Sequence, residues 1–294
     1  MRKNYDLYLL LLPVLIHYLL FCYVPMYGVQ IAFKRFSVTQ GIWGSDWVGL
    51  LHFQRFFSSY YFKRLIGNTL GLSLYSLVLG FPLPIMLALM LNEVKSSGFK
   101  RTVQTVTYIP HFLSTVVMVG MIISFLSPST GIINKIMGLA GIAPVYFMTE
   151  ANWYQTIYVL SGVWQTTGWG AIIYLAALSG IEPELYESAR IDGATRLRQC
   201  LHITIPLLIP TAVILLILRT GQIMSVGFEK AYLMQNDLNL SKSDIIATYV
   251  YRKGLIDAEF SFSTAVGVFN SAINLILLTT VNTISKRVSG SSLW

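Results

Sequence analysis

The polar residues with the most informative spacing lie in one short segment, residues 181–206. Pro183 suits the first turn of a helix, and Glu184 and Glu187 place negative charge near the positive N-terminal end of that helix. The Asp-Gly dipeptide at 192–193 is typical of a helix end or a turn, and a second helix is expected to follow it. The segment therefore predicts a compact helix-turn-helix, which could serve as a rigid contact surface.

Residue combinations that catalyse reactions are missing from the sequence. The four histidines are too scattered to predict a metal site, and Cys22 and Cys200 are too few for a disulfide framework. No Gly-x-x-x-x-Gly-Lys-Ser/Thr phosphate loop occurs, so no nucleotide is expected on this chain. No acidic residue lies well inside the long uncharged runs, where a membrane-embedded enzyme or a proton-driven carrier would need one. We therefore predict no catalytic residue, no metal and no bound cofactor.

The composition is that of a membrane protein. The 294 residues are 54% hydrophobic and 12% charged, and the mean hydropathy is +0.61. An average soluble domain has about twice that share of charged residues. The net charge of +8 needs no nucleic-acid partner, because basic residues in the loops of a membrane protein face anionic lipid headgroups.

Long uncharged runs place the membrane crossings. The first is long enough to cross the roughly 30 Å hydrocarbon core with tilt, and we interpret it as a retained anchor rather than a cleaved signal peptide. The other runs are similar in length, so the fold class expected is an all-α polytopic membrane protein with six transmembrane helices. The six runs are residues 7–33, 65–92, 102–134, 151–181, 199–218 and 260–285. We divide the chain into an N-terminal helix with an outer interfacial loop, residues 1–64, and a five-helix core, residues 65–288.

The charge pattern alone leaves the orientation open. With the N-terminus inside, the basic residues divide evenly between the two sides, so the positive-inside rule gives a tie. On periodicity alone, the loop at 181–206 also fits an ordered interfacial hairpin with no further role. Residues 49–66 are aromatic and basic together, which fits an acidic sugar ligand or a helix lying in the outer interface.

Polar and aromatic residues in the later runs are candidates for a sugar pathway, because sugars bind to aromatic faces and to amide or charged hydrogen-bonding groups. The alternatives are that Trp marks a membrane interface, that Asn and Gln join neighbouring helices, and that Arg219 reaches the interface or pairs with an acidic group. The candidates are Trp164, Gln165, Trp169, Arg219, Gln222, Asn270 and Asn274.

The loop resembles the signature of permease subunits of ATP-binding-cassette importers. That signature is Glu-Ala-Ala, three residues, Gly, nine residues, then Ile-x-Leu-Pro. Here Glu187-Ser188-Ala189, Gly193, Ile203 and Pro206 fall at those spacings. Ser188 in place of Ala and Ile205 in place of Leu are conservative departures.

The resemblance covers essentially the whole chain. Pro25 to Lys34, Gly49-Leu50 with Phe53, Asn68-Thr69 and Tyr108 to Phe112 are similar to the sugar permeases that import oligosaccharides and polysaccharide fragments in bacteria. The resemblance implies the type I importer fold in the bacterial cytoplasmic membrane, with the N-terminus and the loop both cytoplasmic. It identifies the loop as a coupling helix that docks on the ATPase through Glu187, Ser188, Ala189, Asp192, Gly193, Ile203 and Pro206.

The resemblance also implies the partners. ATP and Mg are expected on two partner ATPases, because this chain has no nucleotide site of its own. One six-helix subunit presents one coupling helix to an ATPase dimer, so a second permease is expected, either an identical copy or, as the resemblance favours, a different homologous chain. An extracytoplasmic binding protein would deliver the saccharide. A membrane-embedded enzyme acting on lipid-linked sugar and an ATP-independent carrier remain the alternatives.

Overall fold

The computed structural model describes residues 5–290 and 292–293, and these residues are mostly helical. In chain order the α-helices are α1 (Tyr5–Tyr18), α2 (Val24–Met26), α3 (Gly41–Gly44), α4 (Leu51–Phe57), α5 (Phe62–Gly80), α6 (Pro82–Glu93), α7 (Ser97–Tyr108), α8 (Thr115–Phe125), α9 (Ile132–Leu139), α10 (Ala151–Ser179), α11 (Pro183–Ile191), α12 (Arg196–Gln199), α13 (Ile205–Thr220), α14 (Phe228–Met234), α15 (Leu240–Ser243), α16 (Ile246–Tyr251) and α17 (Phe260–Ser289). Strands β1 (Lys34–Arg35) and β2 (Asp46–Trp47) pair antiparallel, with Lys34 opposite Trp47. Arg2 and Lys3, which precede the first run and resemble the basic start of a signal peptide, lie outside the described part of the chain.

The chain divides into two compact units. The first takes the residues up to Phe62 together with Ile246–Ala272, and the second takes Lys63–Ile245 together with the residues from Ile273 onward. The predicted division at residues 64 and 65 lies close to the first of these boundaries. It does not anticipate the return of Ile246–Ala272 to the first unit. The division into residues 1–64 and 65–288 stays a prediction.

Aromatic side chains build the interior of the first unit. Phe56 is 1% exposed, and its ring lies within 5.1–6.4 Å of the rings of Phe62, Phe262 and Phe269. Beside this cluster Arg55 forms an ion pair with Glu259 at 2.6 Å. Part of the aromatic and basic stretch at 49–66 is therefore packed inside this unit.

Four helical stretches are long and apolar enough to span a membrane within the described ranges. They are Asp6–Phe33, Phe62–Glu93, Arg196–Thr220 and Phe260–Arg287. The helix α10 is 29 residues long and uncharged, but Gln, Thr, Trp and Tyr keep it from reaching the same hydropathy. Each predicted crossing overlaps one or more of these helices, and the predicted all-α fold class is confirmed. The number six stays a prediction.

The third predicted crossing, 102–134, is not a straight helix. The stretches Ser97–Phe112 and Thr115–Phe125 meet at an angle of 101°, and count as one span only if the bent pair crosses together. Pro110 lacks a backbone N–H in the first stretch, and the Ser114 side chain accepts a hydrogen bond from the Val117 N–H, which caps the new helix.

The second unit packs around α10. Ala88 of α6, Ala171 and Leu178 of α10, and Leu208 of α13 form one buried cluster. At Gly168 the backbone of α10 approaches α7 so closely that an added Cβ would overlap the carbonyl group of Thr107. This packing positions α10 against the helices that bear the polar residues described next.

Candidate functional site

The residues of segment 181–206 form the predicted helix-turn-helix. Helix α11 begins at Pro183, has Glu184 in its first turn and Arg190 in its last turn, and ends at Ile191. These charges match the helix dipole, which is positive at the N-terminus and negative at the C-terminus. The short helix is thus favoured by its own sequence.

A glycine ends α11 by taking a conformation that other residues avoid. Gly193 has φ +76°, its N–H donates to the Arg190 carbonyl at 3.0 Å, and the Ala194 N–H donates to the Ala189 carbonyl at 2.8 Å. This is the usual glycine-terminated helix end. An added Cβ would meet no atom within 4 Å, so the requirement for glycine here is conformational and not one of space.

Side-chain hydrogen bonds make the loop compact. The Thr195 hydroxyl caps α12 by accepting from the Arg198 N–H at 3.4 Å, and the Gln199 amide donates to the Ala194 carbonyl at 2.9 Å. The hydroxyls of Tyr186 and Thr204 lie 3.0 Å apart and join α11 to the residue before α13. The predicted compact helix-turn-helix is confirmed.

The loop presents its outer face to its surroundings. None of the residues of α11 is buried, and Ile191 and Leu197 are 88% and 69% exposed. Among the predicted coupling residues, Glu187, Ser188, Asp192, Gly193 and Pro206 are exposed, whereas Ala189 and Ile203 are half-buried. Exposed apolar side chains beside charged ones are typical of a contact surface for another protein.

A cleft of about 620 Å³ runs along one side of α11. On its far side lies the end of α6, from which Glu93 reaches Arg196 at 3.7 Å. The lining residues are Asn92, Glu93, Val94, Lys95, Pro183, Tyr186, Glu187, Arg190, Arg196 and Gln199. The cleft therefore places Glu187 beside a second segment of the chain, residues 92–95.

A second cavity, of about 310 Å³, lies in the second unit between α5, α10 and the end of α13. Arg219 projects from the last turn of α13, and one of its guanidinium N–H groups donates to the carbonyl of Gly80 at 3.2 Å. The lining residues are Ser73, Ser76, Leu77, Tyr158, Arg219, Gln222, Ile223, Ser225, Val226 and Gly227.

Two of the predicted sugar-pathway residues, Arg219 and Gln222, line this cavity. Asn274 supports its wall from α17: its carbonyl oxygen accepts from the Met224 N–H at 2.9 Å and its amide donates to the Ser225 hydroxyl at 2.8 Å. Asn274 thus holds the segment between α13 and α14 in place.

The other predicted pathway residues are not in the cavity lining. Trp169 stacks on His111 with ring centres 4.5 Å apart, and the Gln165 amide donates to the Leu113 carbonyl at 3.0 Å. Trp164 is 50% exposed. Asn270 lies in the first unit, with a buried carbonyl oxygen that has no hydrogen-bond partner in the described structure.

Ser73, Tyr158 and Lys230 were not predicted from the sequence as site residues. Tyr158 is 8% exposed and lines the cavity, and its hydroxyl donates to the Gly227 carbonyl at 3.3 Å. The buried Ser73 hydroxyl has no hydrogen-bond partner within the described residues. For Lys230 the sequence offers one signal, which is a lysine placed among apolar residues in the short segment Phe228–Met234.

Lys230 lies behind Tyr158. Its ammonium group donates to the Tyr158 carbonyl at 2.7 Å and lies 4.5 Å from the centre of the Tyr158 ring, and only 8% of the residue is exposed. Burial lowers the pKa of Lys230 to about 7, because the charged form loses its hydration. A positive charge next to an aromatic face is partly stabilised by cation–π attraction.

Metal chemistry has no support within the described ranges, where no group of three or more His, Cys, Asp or Glu residues could hold an ion. The geometry is that of a contact loop and a small polar cavity in a bundle of apolar helices.

The family model described as "Binding-protein-dependent transport system inner membrane component" matches residues 80–290. The chain belongs to this family. It is a permease subunit of an ABC transporter and a multi-pass membrane protein, and the prediction that it is not an enzyme is confirmed by the family.

Relatives with similar sequences extend the match to the N-terminus. Protein LplB of Bacillus subtilis (strain 168) is 44% identical to the permease over 295 residues, which cover 100% of this chain and 92% of LplB. The polygalacturonan/rhamnogalacturonan transport system permease protein YteP of the same organism is 46% identical over 281 residues, covering 96% of this chain and 88% of YteP.

Solved structures show the same fold. A chain of a bacterial ABC transporter involved in the import of the acidic polysaccharide alginate is 43% identical to the permease, with a TM-score of 0.91 over 98% of this chain and 97% of that one. A chain of the bacterial alginate ABC transporter in complex with an alginate pentasaccharide-bound periplasmic protein is 42% identical, with a TM-score of 0.92 over 99% and 98%. The predicted type I permease fold is therefore confirmed.

Proposed function

We propose that the permease is one of two membrane subunits of an ATP-driven importer that carries oligosaccharides or polysaccharide fragments into the bacterial cell. The observation that carries this proposal is the geometry of α11, a short exposed helix with a glycine-terminated end and a hydrogen-bonded link to α13. The carbohydrate substrate is supported by the relatives, which include permeases of polygalacturonan/rhamnogalacturonan and alginate importers.

Helix α11 is the proposed coupling helix. Glu187 offers a negative charge to a donor group on an ATPase, and Ser188 beside it is small enough to permit close approach. The bond between Tyr186 and Thr204 carries a displacement of α11 to the start of α13. Two partner ATPases that close on ATP and Mg would thus shift the permeases between inward-open and outward-open states by differential contact.

The coupling role determines the proposed orientation. If α11 meets a cytoplasmic ATPase, the N-terminus is also cytoplasmic, since an even number of the predicted crossings separates the two. Binding protein and saccharide then approach from the opposite face. A second homologous permease, different from this chain, completes the pair of coupling helices that an ATPase dimer needs.

The proposed substrate path passes the cavity at Arg219 and Gln222, because these side chains are exposed to it and can hydrogen-bond to sugar hydroxyls. Trp164, Gln165, Trp169 and Asn270 remain candidates for other positions along the path. At the cavity, Asn274 is a positioning residue that holds the wall segment containing Met224 and Ser225.

The test is co-purification and uptake with a charge reversal in α11. The full transporter would be expressed with wild-type permease, with Glu187→Lys, or with Glu150→Lys, a matched reversal at the exposed residue before α10. We expect Glu187→Lys to remove the ATPase from the purified complex and to lower saccharide uptake at least tenfold, while Glu150→Lys behaves as wild type. Normal uptake by Glu187→Lys, or uptake by the permease alone in liposomes without ATP, would refute the proposal.

A further inference from the structure

The cavity at Arg219 contains a positive charge that faces no acidic side chain among the described lining residues. Its volume of about 310 Å³ is at the small end of the range of ligand pockets, so it accommodates one part of a longer saccharide. None of the described residues that line it is acidic. Arg219 is exposed to this cavity, so its guanidinium is open to a ligand, and an anionic ligand would give it a charged partner.

Arg219 is anchored in a way that leaves donors free for a ligand. One N–H group donates to the Gly80 carbonyl at 3.2 Å, at the end of α5. A guanidinium has five N–H donors in a planar fork, and two parallel donors of this fork match the two oxygens of a carboxylate. The bond to Gly80 fixes the position of the fork and uses only part of it.

The neighbouring groups suit the hydroxyls of the same sugar ring. The buried Ser73 hydroxyl has no hydrogen-bond partner within the described structure, and Gln222 is exposed to the cavity. A buried hydroxyl left unpaired costs free energy, which a ligand hydroxyl recovers. Tyr158 adds an aromatic wall, and the ammonium group of Lys230 behind it, 4.5 Å from the ring centre, adds to the positive potential.

We infer that this cavity recognises the carboxylate of an acidic sugar residue, with Arg219 as the group that contacts it and Ser73 and Gln222 as partners of the ring hydroxyls. The inference rests on the proposed importer function and specifies its substrate class as saccharides that contain uronic acids. It makes Arg219 the residue that distinguishes acidic from neutral chains.

The experiment measures binding to the permease itself, so that the binding protein does not contribute selectivity. The complete membrane complex in lipid nanodiscs would be titrated with oligogalacturonates, oligomannuronates and oligoglucuronates of three to five residues. Each would be compared with the same oligosaccharide after its carboxyl groups have been reduced to alcohols. The variants are Arg219→Gln, Arg219→Lys and the matched surface change Arg101→Gln, at an exposed residue of α7.

We expect the wild-type complex to bind at least one acidic oligosaccharide at least tenfold more tightly than its reduced form. Arg219→Gln removes this preference by weakening only the acidic ligand, Arg219→Lys keeps part of it, and Arg101→Gln keeps all of it. If Arg219→Gln does not assemble, the partial loss in Arg219→Lys carries the test, because lysine keeps the charge but not the planar fork. Equal binding of acidic and reduced forms, no binding of any acidic form, or a preference unchanged in both Arg219 variants overturns the inference.

Failure of the importer proposal has a different signature. ATP-dependent uptake of a neutral oligosaccharide with no acidic preference would refute only the role of Arg219. A complex that lacks ATPases and transports no saccharide would refute the proposed function itself.

Discussion

The ammonium group of Lys230 donates a hydrogen bond to the backbone carbonyl of Tyr158 at 2.7 Å and lies 4.5 Å from the centre of the same residue's ring. The Tyr158 hydroxyl in turn donates to the Gly227 carbonyl at 3.3 Å, and Tyr154, one turn earlier, donates to the Ala231 carbonyl at 3.2 Å. Three side-chain bonds thus hold α14 and the residue before it on α10.

The burial of Lys230 predicts a pH-dependent stability. Its pKa is lowered by burial to about 7, whereas the unfolded chain keeps a value of about 10.4, so between these values the unfolded state binds more protons. The free energy of unfolding therefore rises with pH, by about 2 kcal/mol between pH 7 and pH 9. Thermal unfolding of the detergent-solubilised protein should show a Tm that increases over this range.

Lys230→Met should remove most of this increase, and Lys242→Met, at an exposed lysine, should keep it. A Tm that does not change with pH in the wild-type protein would contradict the prediction.

The close contact of α10 with α7 predicts that one methyl group added at Gly168 lowers the stability of the protein. Gly168→Ala places a Cβ on the Thr107 carbonyl, and such overpacking costs about 1–3 kcal/mol or prevents folding. Gly120→Ala, in α8, meets nothing within 4 Å and should be neutral or stabilise by up to about 1 kcal/mol. Tm and the yield of monodisperse protein distinguish the two variants, and equal values for both would show that the helices can separate freely.

The link between Tyr186 and Thr204 predicts a variant that binds the ATPase but transmits poorly. Tyr186→Phe loses a hydrogen bond of 3.0 Å to a residue that is 2% exposed, at a cost of about 1 kcal/mol. We expect normal co-purification of the ATPase and a two- to fivefold decrease in saccharide transported per ATP hydrolysed. Tyr146→Phe, at a tyrosine that is 58% exposed, is the control. An unchanged ratio in Tyr186→Phe would exclude this route of coupling.

The end of α11 predicts a graded series at Gly193. A Cβ fits in space, but φ +76° costs a non-glycine residue about 1–2 kcal/mol, so Gly193→Ala should lower the Tm moderately and reduce uptake. Gly193→Pro should abolish uptake, since proline cannot adopt a positive φ and has no N–H for the Arg190 carbonyl. Gly180→Ala, at φ −86°, is the matched control. Full uptake by Gly193→Pro would show that the shape of this turn is irrelevant.

The amide of Asn274 predicts a change in substrate affinity without direct contact. Asn274→Ala removes the bonds to Met224 and Ser225 and loosens the cavity wall, so the KM of saccharide uptake should rise about three- to tenfold. Asn274→Asp keeps an acceptor for the Met224 N–H and should show a smaller rise. Thr279→Ala, which removes a hydroxyl that donates to carbonyls of α17 itself, is the control. An unaltered KM in Asn274→Ala would show that the wall held by Asn274 does not contribute to substrate binding.

The sequence by itself determined the features that depend on residues close together in the chain. Uncharged runs reveal membrane helices because lipid requires apolar surface, and the loop was predictable because Pro183, Asp192 and Gly193 act on their own backbone. A proline inside an apolar run allows either a kink or a complete turn, so the sequence did not predict the 101° break between Phe112 and Thr115 that follows Pro110.

Only the tertiary structure decided which polar residues share a cavity. Arg219 meets Gly80 across 139 residues of chain, and Lys230 meets Tyr158 across 72. No periodicity within one helix specifies which neighbour its polar residues will face, because that depends on how helices from distant parts of the chain pack. Trp164, Trp169 and Arg219 are therefore equivalent candidates in the sequence, although of these three residues Arg219 alone lines the cavity.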